Sequence, residues 1–468
     1  MDLKRILKNI LYLSSSEIIS KALNFITYTI LARKFLAEGF GQISFVFVIV
    51  SYLTLIINFG TETIGSRDVA REDTNLSDYV SKLLTGKIIL AIVLYLFYCA
   101  LVSIIQIDSQ LKIAFIVYGF TFFSNAVLIN WFFIGLEKNY AVVAAQVSAS
   151  IFTLLAVLFI INDTSEIVIA VSIFMVSSCI NSIILLIIYK QNGYKLKLHF
   201  DRKFIMELVK VCVPIGVSTL LINVYANADH IILGVMGHKI ELGYYAAAYK
   251  IVVIAVIPAA IILKSFFPQF SKSVDTPAER DKLMDNYSRL MFVIGTTISV
   301  ILIAFSEDII RIVYGVKYIN SAELLHILGF NVFLVFITVT YGNPLLAWNR
   351  QKKYLIAISI GACVNLIFDF ILIPKYLAAG AAFATIISEL AVFTGVIYFH
   401  WLQTKRIYLN DLLKSILCGI TALTAAFICN MESLNFIMSF IIASLVLFAM
   451  FYFTKLVDKR ILKLLEIK

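Results

Sequence analysis

Residues 83–105 read LLTGKIILAIVLYLFYCALVSII, a nearly unbroken apolar run. A helix of about 20 apolar residues spans the roughly 30 Å hydrocarbon core of a bilayer, because lipid offers no partner for an unpaired backbone N–H or C=O. Similar runs fill most of the chain, whose 468 residues are 61% hydrophobic and 15% charged, far from the composition of a soluble domain. The sequence therefore predicts an all-α, polytopic membrane protein.

The hydropathy pattern predicts about 14 transmembrane helices. They are expected at residues 10–31, 42–58, 83–105, 112–134, 141–161, 167–189, 208–228, 246–268, 286–305, 325–347, 354–373, 380–401, 412–429 and 434–454. The segments between them are too short for a soluble catalytic domain, and the five histidines are scattered without metal-ligand spacing. We expect no enzyme activity, no catalytic residues and no metal site.

The distribution of Lys and Arg predicts the orientation, because short loops rich in these residues are retained in the cytoplasm. With the N-terminus inside, about 27 of the 39 cations fall in cytoplasmic segments. Both termini are therefore predicted to be cytoplasmic, and the net charge of +10 reflects topology rather than a nucleic-acid partner. Trp131, Trp348 and Trp401 lie at predicted cytoplasmic helix ends, where we expect them to anchor at the headgroups.

The chain is expected to divide into two lobes. We assign residues 1–190 to an N-terminal lobe of six helices, 191–207 to a cytoplasmic linker, 208–403 to a second six-helix lobe, and 404–468 to two additional helices and a tail. A weak internal echo supports this division, since AEGFG at 37–41 resembles ELGYY at 241–245. Parallel repeats of this kind are a transporter architecture with the substrate path between the halves.

One polar stripe runs along the first predicted helix. Spacings of three and four residues place its five members on one face: Ser14, Glu17, Lys21, Asn24 and Tyr28. Two interpretations are open: a Glu17–Lys21 pair that helps two helices pack, or the wall of a hydrophilic lumen. We favour the lumen, because the stripe continues well beyond the pair and polar side chains facing lipid are costly.

Other ionisable residues lie in or beside later spans. Lys250 is the better site candidate of two lysines in the eighth predicted helix, and Asp229 lies at the outer end of the seventh. For Asp369 and Glu389, a satisfied structural hydrogen bond and a proton or sodium relay are equally open interpretations.

Several ordered motifs resemble those of a known family. They are LAEGFG at 36–41, NFGTE at 58–62, SRDVAR at 66–71, WFFIGLEK at 131–138, NADHIILG at 227–234, GYYAAAYK at 243–250 and NLIFDFILIP at 365–374. Together they are similar to the polysaccharide biosynthesis (O-antigen) flippases of the multidrug/oligosaccharidyl-lipid/polysaccharide exporter superfamily. The resemblance covers nearly the full chain.

This resemblance implies a flippase of O-antigen or capsule type in the bacterial cytoplasmic (inner) membrane. Its cargo would be an undecaprenyl-pyrophosphate-linked oligosaccharide, moved from the cytoplasmic to the outer leaflet by alternating access. The implied fold is two six-helix lobes in a V around a central cavity, plus two C-terminal helices. Membrane lipids, a polysaccharide polymerase and a chain-length regulator are candidate partners, and no nucleic acid is expected.

Such a cargo requires a hydrophilic, cationic groove for its sugars and pyrophosphate. We predict that the residues binding the substrate are Lys21, Lys250, Arg33, Asn24 and Tyr28. We predict that the residues serving ion coupling or lining the lumen are Glu17, Asp229, Asp369 and Glu389, with a proton or sodium as the coupling ion and no other cofactor. The alternatives are a multidrug or sodium/proton-coupled exporter of the same superfamily, and a membrane-embedded polysaccharide polymerase or transferase.

Overall fold

The computed structural model describes residues 3–71, 75–163, 166–274, 276–432 and 435–457, and within these ranges the protein is built from helices joined by short connections, without strands. Side chains are described from residue 19 onward in these ranges, except at 224, 225 and 430. The helices group into two compact units, Met1–Gly243 and Tyr244–Lys468. The predicted all-α architecture is confirmed.

The first unit is built from nine helices and the start of a tenth. They are α1 (Leu3–Asn58), α2 (Thr61–Ala70), α3 (Leu76–Ile104), α4 (Ser109–Gly119), α5 (Thr121–Ala126), α6 (Asn130–Gly135), α7 (Asn139–Phe159), α8 (Ile167–Gln191), α9 (Arg202–Val235) and α10 (Lys239–Ala255). The second unit continues with α11 (Ile257–Lys272), α12 (Pro277–Ala304), α13 (Ser306–Val313), a 3-10 turn (Val316–Tyr318), α14 (Ser321–Ala347), α15 (Gln351–Thr404), α16 (Leu409–Met431) and α17 (Phe436–Phe453).

Twelve helices in the described ranges are long and apolar enough to cross a membrane. Two of them are much longer than one crossing needs: the candidate span Ile19–Asn58 has 40 residues and Gln351–Thr404 has 54. At about 1.5 Å per residue, either helix exceeds the hydrocarbon thickness. The count of fourteen therefore stays a prediction, which requires each long helix to cross twice.

Both long helices are interrupted where the sequence predicts a connection between spans. In α1, Leu36 has a φ of 58°, and in α15, Leu377 has a φ of 52°. A left-handed, β-carbon-bearing residue breaks a right-handed helix. At the second break the chain folds back on itself. Gly380 lies so close to Leu372 that a Cβ on this glycine would overlap the Leu372 carbonyl oxygen.

The echo segment 37–41 packs against residues 239–243, which include the start of its counterpart and belong to the first unit. A Cβ on Gly41 would overlap the carbonyl oxygen of Lys239, and a Cβ on Gly243 would overlap that of Ala37. The two glycines let α1 and the beginning of α10 approach backbone to backbone. The segments that suggest an internal repeat thus also form a close helix contact, and the repeat stays a prediction.

The units and the predicted lobes end at different places. The first unit includes α9, which sequence analysis assigned to the second lobe. Within this unit α9 lies against α1, where the hydroxyl of Tyr52 donates a 2.6 Å hydrogen bond to the carbonyl of Asn223. The division into two six-helix lobes stays a prediction.

Two of the three predicted tryptophan anchors are wrong. Trp131 and Trp348 are only 1% and 3% exposed. Trp131 packs against Phe132 in an aromatic cluster of the first unit, and Trp348 packs edge-on against Phe270 in the second. Burial of a large ring is more favourable than an interfacial position when a packed pocket is available. Trp401 is 40% exposed, as an anchor would be.

Candidate functional site

A polar cavity of about 450 Å³ lies in the first unit, between the first half of α1 and helices α7 and α8. Its lining is dominated by hydroxyl and amide side chains. The lining residues are Ser20, Lys21, Asn24, Tyr28, Gln146, Ala149, Ser150, Thr153, Phe174, Ser177, Ser178 and Asn181. A polar cavity among membrane-spanning helices is the expected setting for polar side chains that cannot face lipid.

Helix α1 contributes three residues that the sequence predicted to bind substrate. Lys21, Asn24 and Tyr28 share one face, because they are three and four residues apart in a helix of 3.6 residues per turn. Lys21 is exposed, so its ammonium group is accessible. Tyr28 stacks on Phe174 of α8, with ring centroids 5.5 Å apart and planes inclined by 25°. The cavity therefore combines a cation, an amide and a flat aromatic surface.

Helices α7 and α8 form the opposite wall through small hydroxyl groups. The Thr153 hydroxyl donates to Ser177 Oγ at 2.6 Å, and the Ser177 hydroxyl donates to the carbonyl of Ala149 at 3.0 Å. Small polar residues allow such close helix approach in membranes. These hydroxyl groups are occupied in joining the two helices.

Asn181 behaves differently from those hydroxyl groups. Its Oδ1 atom is buried and accepts no hydrogen bond from the described part of the chain. Leaving a buried acceptor unsatisfied costs about 1–3 kcal/mol. Because Asn181 lines the cavity, a bound molecule or water could supply the missing donor.

Arg33, also predicted to bind substrate, lies outside the cavity lining. It is exposed, about one and a half turns beyond Tyr28 on the same helix. The neighbouring Lys34 donates hydrogen bonds to the carbonyls of Val157, Leu158 and Ile161, at 3.0, 2.9 and 2.6 Å. A lysine at the C-terminal end of a helix satisfies orphan carbonyls there. The first half of α1 is therefore fixed, just before the break at Leu36, to the end of α7.

Two of the predicted ion-coupling residues belong to α1 and α9. Glu17 lies in α1, but its side chain lies outside the described residues. Asp229 is only 4% exposed, and its Oδ1 accepts hydrogen bonds from the backbone N–H of His230 at 2.7 Å and from the His230 ring at 2.9 Å. The carboxylate of Asp229 is thus held within its own helix turn.

The other predicted residues belong to the second unit. Lys250 lies on α10 and is half-buried. Asp369 and Glu389 lie on either side of the break in α15 and are 0% and 5% exposed. The structure thus brings Lys21, Asn24 and Tyr28 together in one cavity, while Arg33 and Asp229 of the first unit are not among its described lining residues.

Sequence reasoning missed the α7 and α8 wall, although the signal was present. Gln146, Ser150 and Thr153 recur every three or four residues in α7, and Ser177, Ser178 and Asn181 cluster in α8. Each set gives a polar face in an otherwise apolar helix. The chemistry available is hydrogen bonding, ring stacking and one positive charge, since no group of three His, Cys, Asp or Glu side chains in the described ranges is placed to hold a metal ion.

Comparison with known proteins finds relatives named for polysaccharide biosynthesis and for O-antigen transport. The capsular polysaccharide biosynthesis protein CapF of Staphylococcus aureus is 26% identical over 86% of this chain and 100% of its own length. A putative O-antigen transporter of Shigella dysenteriae is 25% identical over 82% of this chain and 97% of its own. Among solved structures, the lipid II flippase MurJ in an inward closed conformation matches 96% of this chain and 100% of its own, with a TM-score of 0.76 at 16% identity.

The similarity to MurJ shows that the two proteins share a fold. The family itself is shown by a match to the family described as polysaccharide biosynthesis protein, which covers residues 6–274, more than half of the sequence. This range includes the whole α1–α7–α8 cavity. The chain is a multi-pass membrane protein that belongs to the polysaccharide biosynthesis protein family.

Proposed function

We propose that this protein is a flippase for an undecaprenyl-pyrophosphate-linked oligosaccharide, an O-antigen or capsule repeat unit. It would carry the glycan from the cytoplasmic to the outer leaflet of the bacterial inner membrane by alternating access, with both termini in the cytoplasm. Family membership and the relatives named for capsular polysaccharide biosynthesis and O-antigen transport support the class of cargo.

The observation that carries this proposal is the chemistry of the α1–α7–α8 cavity. Sugars present hydroxyl groups for amide partners and flat apolar faces for aromatic rings. Asn24, Gln146 and Asn181 supply the amides, and the Tyr28–Phe174 pair supplies the rings. A volume of about 450 Å³ falls within the range of about 300–1,000 Å³ typical of ligand pockets. We therefore assign the cavity to part of the glycan headgroup.

We assign Lys21 to binding the anionic part of the cargo. Lys21 is the cation among the described lining residues, which include no carboxylate. An ammonium group attracts a pyrophosphate or an acidic sugar as a point charge. Lys250 of the second unit and Arg33, outside the described cavity lining, are the other cations that we assign to substrate binding.

Ion coupling completes the proposed mechanism. Uphill transport needs an energy source, and buried carboxylates within membrane helices are frequent proton or sodium sites. Asp229, Asp369 and Glu389 are such residues, and Glu17 occupies the same stripe as Lys21. We assign coupling to this set, with a proton or sodium as the ion.

The test is a flipping assay with the purified full-length protein in proteoliposomes. A fluorescent undecaprenyl-pyrophosphate-linked oligosaccharide is placed in one leaflet, and its appearance in the other is followed by a membrane-impermeant glycosidase. The native protein is expected to move the lipid, and Tyr28→Ala is expected to slow it at least tenfold, which corresponds to about 1.4 kcal/mol. Lys352→Met, which alters an exposed lysine of the second unit, is the matched control.

Two results would contradict the proposal. One is an absence of flipping by native protein that binds the same lipid and is correctly folded. The other is export of cationic drugs from the same vesicles without movement of the lipid-linked glycan, which would favour the multidrug exporter instead.

A further inference from the structure

A second, apolar cavity lies in the first unit, away from the polar one. It has a volume of about 500 Å³ and is bordered by the end of α1, the start of α2, the first half of α3 and the first half of α9. Its lining is almost entirely hydrocarbon: Ile56, Ile57, Phe59, Thr61, Leu83, Gly86, Lys87, Ile89, Leu90, Val93, Phe200, Ile205, Leu208, Val209 and Cys212. We call this cavity the α3–α9 groove.

The rim of the α3–α9 groove consists of exposed apolar side chains. Val93 is 60% exposed, Phe200 is 56% exposed and Val209 is 49% exposed. These residues belong to, or directly precede, helices long enough to cross a membrane. The groove therefore opens toward the hydrocarbon of the bilayer, where a lipid chain can enter it.

One charged residue, Lys87, borders this groove. Its side chain is 4% exposed, and its Nζ atom has no hydrogen-bond partner in the described part of the chain. A buried ammonium group without a hydrogen-bond partner is strongly disfavoured, because burial removes its hydration. The carboxylate of Glu62 acts on Lys87 electrostatically but forms no hydrogen bond to it, and packing alone does not explain a lysine here, since a methionine fills the same volume without that cost.

Lys82, five residues earlier on α3, shows what a satisfied lysine looks like in the same helix. Its Nζ lies 2.9 Å from Asp78 and 3.1 Å from Asp201. The backbone N–H of Phe204, followed by the Lys82 ammonium, lowers the pKa of Asp201, so this polar layer stays ionised. Lys87 lies about 7.5 Å further along the helix axis than Lys82. It therefore lies just beyond the ion pairs that Lys82 forms with Asp78 and Asp201.

We propose that the α3–α9 groove binds one anionic phospholipid of the surrounding membrane, with its phosphate paired to Lys87 and an acyl chain along the apolar wall. The lysine supplies the charge that selects an anionic headgroup, and the wall supplies the affinity for a chain. Basic pockets between membrane helices on the cytoplasmic side are suited to anionic lipids in this way. Neither feature alone would distinguish a lipid from a small anion or a neutral chain.

The experiment measures lipid binding to the purified full-length protein by native mass spectrometry, with phosphatidylglycerol and phosphatidylcholine of identical chains. The native protein is expected to prefer phosphatidylglycerol about tenfold. Lys87→Met is expected to reduce this preference to about onefold while the protein stays folded, because an apolar isostere removes a costly buried charge. Lys112→Met, at a half-buried lysine outside the groove whose ammonium group already donates to the Ser103 carbonyl, is the matched control and keeps the preference.

A second variant tests the apolar wall. Leu90→Trp reduces the space for a chain and is expected to weaken binding of both lipids together. Inorganic phosphate, added at the lipid concentration, is expected not to displace phosphatidylglycerol. The proposal is overturned if Lys87→Met keeps the native preference, if the native protein has none, or if inorganic phosphate competes equally. These readouts need no transport, so they are independent of the flippase assay.

Discussion

Polar side chains lie within the membrane-spanning helices of both units, but in different settings. In the first unit, Lys21, Asn24 and Tyr28 border an open cavity, and Lys21 is exposed. In the second, Asn365 and Asp369 of α15 are 2% and 0% exposed. Both sets look alike in sequence, since each is a short polar stripe in an apolar helix.

The difference teaches that a polar stripe has two possible uses in a membrane helix. It can border a cavity that receives a ligand or water, or it can hold helices together from within the packing. The first use predicts that substitutions change transport more than stability, and the second predicts the reverse. The following variants are ordered from the largest expected effect to the smallest.

Asp369→Ala is expected to lower the free energy of unfolding by about 3 kcal/mol, because it removes a fully buried polar group and leaves a void. Thermal unfolding in detergent, with expression level as a second readout, measures this. A variant of native stability that nonetheless loses transport would show that Asp369 serves the proposed ion coupling and contributes nothing to the packing.

Lys21→Met is expected to reduce flipping of the lipid-linked oligosaccharide about tenfold, with unfolding unchanged, because the charge lost is on an exposed side chain. Lys21→Arg keeps the charge and should restore most of the activity. Equal transport by the methionine and arginine variants would show that the charge of Lys21 does not take part in binding the substrate.

Asn181→Leu separates the two uses most sharply. Its Oδ1 is buried without a hydrogen-bond partner in the described residues, so the apolar replacement should leave stability equal or raise it by up to about 1 kcal/mol. Flipping should nevertheless fall about threefold, because the cavity loses an amide. If stability drops with transport, Asn181 belongs to the packing.

Arg33→Gln is expected to change flipping less than about twofold, since Arg33 is exposed and outside the cavity lining and an exposed charge contributes little. The same vesicle assay measures it, beside Lys21→Met. A loss as large as that of Lys21→Met would show that the site extends past the cavity toward the end of α7.

The helical fold could be predicted from sequence because hydropathy and the need to satisfy backbone groups leave few choices in lipid. The breaks at Leu36 and Leu377 lie where connections were expected, since AEGFG and the segment after Pro374 interrupt the apolar pattern. The tryptophans were misjudged because burial depends on tertiary packing, which a helix-end position does not reveal. The helix contact that the echo segment 37–41 forms could not be predicted either, since it also depends on tertiary packing.

Only the part of the candidate site on α1 could be predicted from the sequence. The spacing of Lys21, Asn24 and Tyr28 by three and four residues identified a polar face on α1, but which helices pack against that face depends on long-range contacts. The hydroxyl groups of α7 and α8 were overlooked because serine and threonine are common in membrane helices and carry no charge. Arg33 is exposed on the same helix but outside the cavity lining, so its role in binding substrate stays a prediction.

Cysteine accessibility tests the central claim, that the α1–α7–α8 cavity is wet and receives the glycan. In a chain whose six native cysteines are replaced, Asn24→Cys and Asn365→Cys are each treated with a membrane-impermeant thiol reagent, with and without the lipid-linked oligosaccharide. The account predicts that Asn24→Cys reacts, that the lipid slows this reaction, and that Asn365→Cys is inert. Equal inertness of both cysteines, or a reaction at Asn24→Cys that the lipid does not slow, would contradict it.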